Sequence, residues 1–378
     1  MYWQIEEFRL AKSLTLGSVD KFDLPDTGQL GSIMLVFHAD EYFSGGTGGL
    51  EGTHKWMPEE YLTKIEIITN GSHEAKSLGM KHLQVLNWLD QGIFKPDKNV
   101  SYAGGIQRAA VLIPFGRYLY DNQAGLDLGR YNTTELWITN TGTSSLYSGI
   151  TVDIYLIWMR DGGAFSGFYQ TEVFREWTPV AGETEYIDLP SEGVLRRFLL
   201  QGEAGINESA GQYASFSDLI NTLKYTLKSG QVILYDGDVR RLGWLNLFDA
   251  KSMPIPGLSP YKAFSTDYKR GALGYVWCRP FGVKCADSTV PGTVPGELGG
   301  GDESAFAYTP TPSDWSPQLF ERGMAPWSCV FMRHDYGGGV GEGLDLNANK
   351  TVQMEVVTKA SVTVTNAANK LIIERFMR

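Results

Sequence analysis

The chain carries the same short blocks twice, in the same order, and that repetition constrains it to two copies of one structural plan. Phe22-Asp-Leu-Pro-Asp-Thr-Gly-Gln-Leu30 returns as Ile187-Asp-Leu-Pro-Ser-Glu-Gly-Val-Leu195, with five of nine positions identical at an offset of 165. Leu83, Leu86, Asn87 and Asp90 return as Leu242, Leu245, Asn246 and Asp249 at an offset of 159. That spacing sets each group on one face of a short helix. Gly125-Leu-Asp-Leu128 returns as Gly343-Leu-Asp-Leu346 at an offset of 218, and the same offset carries Trp158-Met-Arg160 onto Phe376-Met-Arg378. Each match is short, and the inference rests on their shared order. Two β-domains that share turn chemistry without common ancestry lead to nearly the same architecture.

The offsets also locate where the halves differ. Asn87 to Asp127 spans 40 residues and Asn246 to Asp345 spans 99, so the second copy holds 59 more, within roughly 251–330. Ten of the sixteen prolines fall in that stretch, from Pro254 to Pro326, along with Gly299-Gly-Gly301. Proline cannot donate to a sheet ladder, so the stretch reads as a long excursion and not as strand core.

Short segments bounded by turn residues dominate both copies. Ser32–Phe37 reads as a strand buried on both faces, and Lys64–Thr69 as an alternating strand ending at the turn pair Asn70-Gly71. Glu135–Thr139 alternates and breaks at Asn140-Thr-Gly142, with Thr151–Trp158 expected as its antiparallel partner. Asn221–Leu227 and Gln231–Tyr235 form a hairpin pattern around Ser229-Gly230. Val352–Val357, Ser361–Thr365 and Leu371–Phe376 are expected to close the chain as strands. Helical periodicity is confined to 79–91 and 237–249, with no strand–helix–strand rhythm of a doubly wound fold. The expectation is all-β: two tandem eight-stranded jelly rolls over 1–175 and 176–378, with a few short helices and a Pro/Gly-rich insertion at about 251–330 in the second. A single closed barrel or an immunoglobulin-like pair are the structural competitors.

Composition bounds the function. Hydrophobic residues make up 43% of the 378 and charged ones 20%, enough to bury real cores. The formal charge of −10 argues against a protein that neutralises nucleic-acid phosphates, and for solubility at high concentration. Three cysteines, Cys278, Cys285 and Cys329, give no disulfide framework. The opening residues lack the basic and apolar regions of a signal peptide, so synthesis in a host cytoplasm is expected.

No chemical site is announced, and no catalytic, cofactor-binding or metal residue is assigned. His38, His54, His73, His82 and His334 show no spacing that brings three or four ligands together. Cys278 and Cys285 stand seven positions apart, unlike the gaps of zinc ribbons or redox motifs, and their pairing stays open. Gly45–Gly49 and Gly337–Gly341 lack the Lys-Ser or Lys-Thr of a phosphate loop and read as flexible rim loops. Asp236-Gly-Asp238 lacks the remaining ligands of a calcium loop and reads as a turn opening the second helix. Asn-x-Ser/Thr triplets at Asn70, Asn99, Asn132, Asn207 and Asn349 read as turn chemistry.

Two successive jelly rolls, an acidic surface and a long proline-rich insertion in the second resemble the double jelly-roll major capsid proteins of tailless icosahedral viruses, the adenovirus and tectivirus-type lineage. The resemblance covers the whole chain and rests on the repeated Asp-Leu-Pro-x-x-Gly-x-Leu and Gly-Leu-Asp-Leu blocks and their layout. It implies a homotrimer whose six rolls form a pseudo-hexagonal capsomer in a virion capsid, with 251–330 as an outward tower or an inter-subunit clasp. The implied partners are further copies of itself, neighbouring capsomers, and penton and minor capsid proteins, with no direct sequence-specific nucleic-acid binding. Some members face an internal membrane through a basic or amphipathic N-terminal arm. Met1 to Asp20 is short and mixed, which leaves a membrane contact open. A two-jelly-roll glycan-active enzyme or lectin, and a virion spike, are the competing functions, because fold does not fix function.

Overall fold

A computed structural model describes residues 1–41, 61–91, 106–142, 147–203, 219–249, 329–349, 351–360 and 368–378, with short strands at 261–262, 297–298, 305–308 and 318–320. The first half runs β1 (Tyr2–Leu14), β2 (Ser18–Asp23), β3 (Gln29–Glu41), β4 (Leu62–Thr69), β5 (His73–Leu78), α1 (Met80–Gln91), β6 (Ile106–Pro114), β7 (Leu126–Asp127), β8 (Thr134–Asn140) and β9 (Tyr147–Arg160). The second runs β10 (Phe168–Trp177), β11 (Thr184–Asp188), β12 (Val194–Glu203), β13 (Ile220–Leu227), β14 (Val232–Asp238) and α2 (Val239–Asp249). Within the insertion come β15 (Tyr261–Lys262), β16 (Glu297–Leu298), β17 (Ala305–Tyr308) and β18 (Gln318–Phe320). The chain closes with β19 (Cys329–Arg333), β20 (Leu344–Asp345), β21 (Val352–Thr358) and β22 (Ala368–Met377).

Each half is a jelly roll with the same strand order. In the first, β1-β9-β3-β6 form one sheet and β2-β8-β4-β5 the other. In the second, β10-β22-β12-β19 and β11-β21-β13-β14 repeat that pattern strand for strand. The rolls join where β5 pairs in parallel with β10, Lys76 opposite Thr171 and Ser77 opposite Glu172. One continuous sheet therefore runs through both halves. The insertion, read from sequence as an excursion without strand core, carries its own small antiparallel sheet in the order β15-β18-β17-β16.

The repeated sequence blocks do the same structural work in both copies. Leu24 N–H donates to Thr134 O, and Leu189 N–H to Val352 O. Leu128 N–H donates to Gly28 O, and Leu346 N–H to Gly193 O. Gly28 and Gly193 have φ of +127° and +82°, a region that disfavours a side chain. At Gly28 a Cβ would also stand 2.7 Å from the Trp158 ring. The helix block is equally exact in role. Asn87 takes Leu112 N–H at 2.8 Å and donates to Leu112 O at 2.7 Å. Asn246 takes Phe331 N–H at 2.9 Å and donates to Phe331 O at 2.6 Å. β6 and β19 are the outer strands of their sheets, so each asparagine substitutes for the missing neighbour strand. The two clamps span 25 and 85 residues respectively, which places the whole excess of the second copy between α2 and β19.

A fourth repeat is present in the sequence, and the pairing shows its role. Gln4, Glu6, Phe8 and Arg9 match Gln170, Glu172, Phe174 and Arg175 at an offset of 166. β1 bulges between Glu7 and Arg9, and β10 between Val173 and Arg175, so Phe8 and Phe174 are the extra residues of equivalent bulges. The closing block is less regular: Leu30 pairs with Trp158 while Leu195 pairs with Arg375, so Trp158 and Phe376 stand one residue out of step.

Several sequence expectations change. β3 is buried on one face only from Ile33 onward, with Met34 and Val36 half-buried between Ile33, Leu35 and Phe37. β4 is the strand buried on both faces, at Ile65, Ile67 and Ile68. β8 and β9 are not partners; they lie in opposite sheets, since most consecutive strands here cross between the layers, with the hairpins β4–β5 and β13–β14 among the exceptions. Leu245 is 54% exposed although its counterpart Leu86 is buried. The expected strand 361–365 lies outside the described residues.

Candidate functional site at the junction of the rolls

The junction is built from strands whose apolar runs are interrupted by charge. β12 reads Val194-Leu-Arg-Arg-Phe-Leu-Leu200 and β22 contains Leu371-Ile-Ile-Glu-Arg-Phe376. Phe198, Leu200, Val330, Leu371 and Ile373 enter the core of the second roll. Leu199, Phe331 and Ile372 face the other way and join the core of the first. This sheet is covered on both faces, which explains its unbroken hydrophobic segments.

Consecutive strand residues normally point to opposite faces. Here the β12–β22 register shifts between Leu195 and Arg197, and the bulge turns Arg196 and Arg197 toward common partners. Asp90, in the last turn of α1, accepts from Arg196 Nη2 at 3.0 Å and from Arg197 Nη1 and Nη2 at 2.9 and 2.5 Å. Glu374 binds Arg196 Nη1 at 3.1 Å and also Arg197 Nε. Asp335 takes Arg196 Nε at 2.8 Å and Arg333 Nε at 3.0 Å. Beside them Lys76 donates to Thr171 Oγ1 at 2.8 Å, and Arg196 lies over the Tyr169 ring at 5.0 Å.

Electrostatics follow from burial and pairing. For Glu374, burial alone would raise the carboxyl, but Arg197, Arg196 and Lys76 together hold it well below the usual carboxylate range. Arg196 loses solvation yet stays well above its ordinary value through Asp90, Glu374 and Asp335. Lys76 is pushed down to about 8, burial outweighing the attraction of Glu374. His334, behind Asp335, is pushed down to about 4 by burial; its Nε2 lies 3.3 Å from the Tyr225 hydroxyl. With its carboxylates taken up by arginine forks, the cluster acts as an orienting clamp between the rolls.

A second bridge lies alongside. Arg117 makes a fork with Asp121, Nε to Oδ2 at 2.8 Å and Nη2 to Oδ1 at 2.9 Å, and donates to Gly338 O at 2.5 Å. Gly341 N–H reaches the Tyr169 hydroxyl at 3.3 Å. The Gly337–Gly341 segment, expected to be a flexible rim loop, instead packs across the junction. Its glycines allow φ of +76° at Gly338 and +69° at Gly341.

The remaining candidates separate. His38 pairs with Asp153 at 2.8 Å, His82 Nε2 lies 2.8 Å from Gln201 Oε1, and His73 sets its ring edge against Phe168. Among the described residues no group of three or more His, Cys, Asp or Glu is placed to hold a metal ion. Asp236-Gly-Asp238, expected to be a turn, instead forms the end of β14, paired with Lys224, Leu223 and Thr222; Asp238 accepts from Arg240 N–H at 2.8 Å as α2 begins directly after it. Asn70 accepts from Asn132 N–H at 2.8 Å, which fits turn chemistry. Cys329 is buried in β19. His54, Gly45–Gly49, Asn99, Asn207, Cys278 and Cys285 lie outside the described residues. Sequence reading missed Asp90, Arg196, Arg197, Glu374 and Asp335 as one unit; the available signal was adjacent charge inside apolar strands.

By sequence, no family model and no curated protein matches the chain. By structure, it is similar to the STIV major capsid protein (TM-score 0.60, 10% identity, 99% of this chain and 96% of that one), the virus being Sulfolobus turreted icosahedral virus. It is also similar to the PBCV-1 virus capsid (0.55, 10%, 99% and 94%) and to the major capsid protein of bacteriophage PM2 (0.51, 9%, 100% and 98%). The chain thus has the double jelly-roll fold of these viral major capsid proteins over its full length.

Proposed function

We propose that the protein is the major capsid protein of a tailless icosahedral virus and assembles as homotrimers that form pseudo-hexagonal capsomers. The observation that carries this reading is the pair of complete jelly rolls with identical strand order, fused edge to edge and locked by a buried ionic clamp. A shell reuses the same rigid surfaces many times, so its subunit must fix two rolls in one orientation. Removing a charge from the clamp leaves its partners buried and unpaired, which penalises departures from that orientation.

On this reading the rolls divide between Arg160 and Phe168, because β10 is hydrogen-bonded to β22 of the second roll, ahead of the boundary at 175 expected from sequence. The protein is structural, without substrate turnover, and resides in the virion capsid after synthesis in the host cytoplasm. Its partners are other copies of itself, neighbouring capsomers, and penton and minor capsid proteins. The excursion over 251–330 serves as a tower or clasp. Light scattering of the purified protein tests the proposal. A stable particle of about 126 kDa, three times 41.9 kDa, is expected; a monomer that persists at high concentration would overturn it.

A further inference from the structure

The seam between subunits can be located, given the self-assembly proposed above. Within the chain, β5 of the first roll pairs with β10 of the second. The equivalents of these two strands, β14 and β1, are sheet edges, β14 hydrogen-bonded to β13 and β1 to β9. We infer that β14 of one subunit pairs in parallel with β1 of a second copy, repeating the internal junction between chains.

Exposed apolar side chains mark both edges. Val232, Ile233 and Leu234 are 40%, 56% and 38% exposed on β14, while β5 is buried from Ala75 to Leu78. Tyr2, Ile5 and Leu10 are 54%, 57% and 49% exposed on β1. Leu245, on the helix that follows β14, is exposed where its counterpart Leu86 is covered. An apolar strand bare on both faces invites pairing with another chain. Exposed apolar side chains also occur on the edge strands β2 and β11, Val19 at 42% and Tyr186 at 73%, so the choice of β14 and β1 rests on their equivalence to the internal pair. Asn87 and Asn246 cap β6 and β19, while β2 and β11 occupy the same outer position in both rolls and take no part in the internal junction.

The register follows from the repeat. β5 bulges just before Lys76 and β14 just before Tyr235, making these residues equivalent. β1 and β10 bulge at Phe8 and Phe174, making Ile5 the equivalent of Thr171. The internal pair Lys76–Thr171 therefore becomes Tyr235–Ile5 between chains. The parallel course then lays Tyr2 and Trp3 along Val232 and Ile233, apolar against apolar, with Gln4 beside Leu234. It ends where the like charges of Glu6 and Asp236 meet, a contact that opposes further pairing. Such a contact is head-to-tail, and a head-to-tail contact closes into a ring when its rotation divides a full turn. Six rolls from three chains satisfy that condition if each junction turns by about 60°.

Cysteine crosslinking tests the seam in the full chain with Cys278→Ser, Cys285→Ser and Cys329→Ala. Paired strand positions fall within the Cα separation that a disulfide spans. Ile5→Cys combined with Tyr235→Cys is expected to give covalent trimers on non-reducing gels, and either substitution alone to give only single chains. Ile5→Cys with Val19→Cys, on the β2 edge, is expected to give none. Ile233→Lys, an exposed position that leaves the core intact, is expected to lower the trimer fraction at least tenfold. Trimers by light scattering without the Ile5–Tyr235 crosslink would overturn the seam and leave the assembly reading standing. A wild-type monomer would overturn both.

Discussion

The two asparagine clamps offer a paired experiment inside one molecule. Asn87→Ala removes the acceptor for Leu112 N–H and the donor to Leu112 O, held at 2.8 and 2.7 Å, and Asn246→Ala does the same to Phe331 at 2.9 and 2.6 Å. Both strand residues are buried, Leu112 at 7% and Phe331 at 3% exposure. An orphaned buried backbone group costs about 1–3 kcal/mol, so each substitution should destabilise by roughly 2–6 kcal/mol, toward the lower end where water enters the vacated space. Because the geometry repeats, the two losses should agree to within about 1 kcal/mol. The readout is urea unfolding followed by tryptophan fluorescence at fixed protein concentration, since self-association couples to unfolding. Asn87→Asp should be worse than alanine, because a carboxylate would then face Leu112 O. Losses below about 0.5 kcal/mol at both sites would refute the claim that the helices hold these sheet edges.

Other predictions follow from the junction and the turns. Asp90→Ala strands Arg196 and Arg197 in the interior and should cost about 3–5 kcal/mol by the same titration. Gly28→Ala meets both the Trp158 ring and a positive φ, and should destabilise by about 1–3 kcal/mol in a thermal melt. His334, lowered from 6.5 to about 4, binds fewer protons folded than unfolded between those values. Its contribution is present above pH 6.5 and lost as pH falls toward 4, on the order of 3 kcal/mol at about 1.4 kcal/mol per unit. His334→Gln should flatten the stability profile in that window. Lys76, lowered to about 8, binds more protons unfolded between pH 8 and 10.5, so stability should rise with pH there, and Lys76→Met should remove that rise.

The architecture was legible in the sequence because turns and caps demand particular residues. Asp-Leu-Pro-x-x-Gly-x-Leu is a corner with a positive-φ glycine, and Leu-x-x-Leu-Asn is a helix that needs an amide facing a strand edge. The block around Phe8 and Phe174 is equally legible as Gln-x-Glu-x-Phe-Arg at an offset of 166, but only the strand pairing shows that its phenylalanine is the extra residue of a bulge. Adjacency in sequence makes β8 and β9 the default hairpin, whereas a jelly roll sends most successive strands, these two included, to opposite sheets. The clamp was invisible for another reason. Asp90 meets Arg196 across 106 residues and Arg196 meets Glu374 across 178, and no local pattern encodes such distances. The exposure of Leu245 and the burial of Leu86 likewise depend on which roll edge is already covered.

Direct imaging of the purified protein tests the central claim. Averaged electron micrographs should show a closed ring of six β-sandwich lobes with threefold symmetry, every neighbouring pair joined as the two rolls of one chain are joined. Isolated two-lobed particles, or rings whose alternate junctions differ in kind from the internal one, would contradict it.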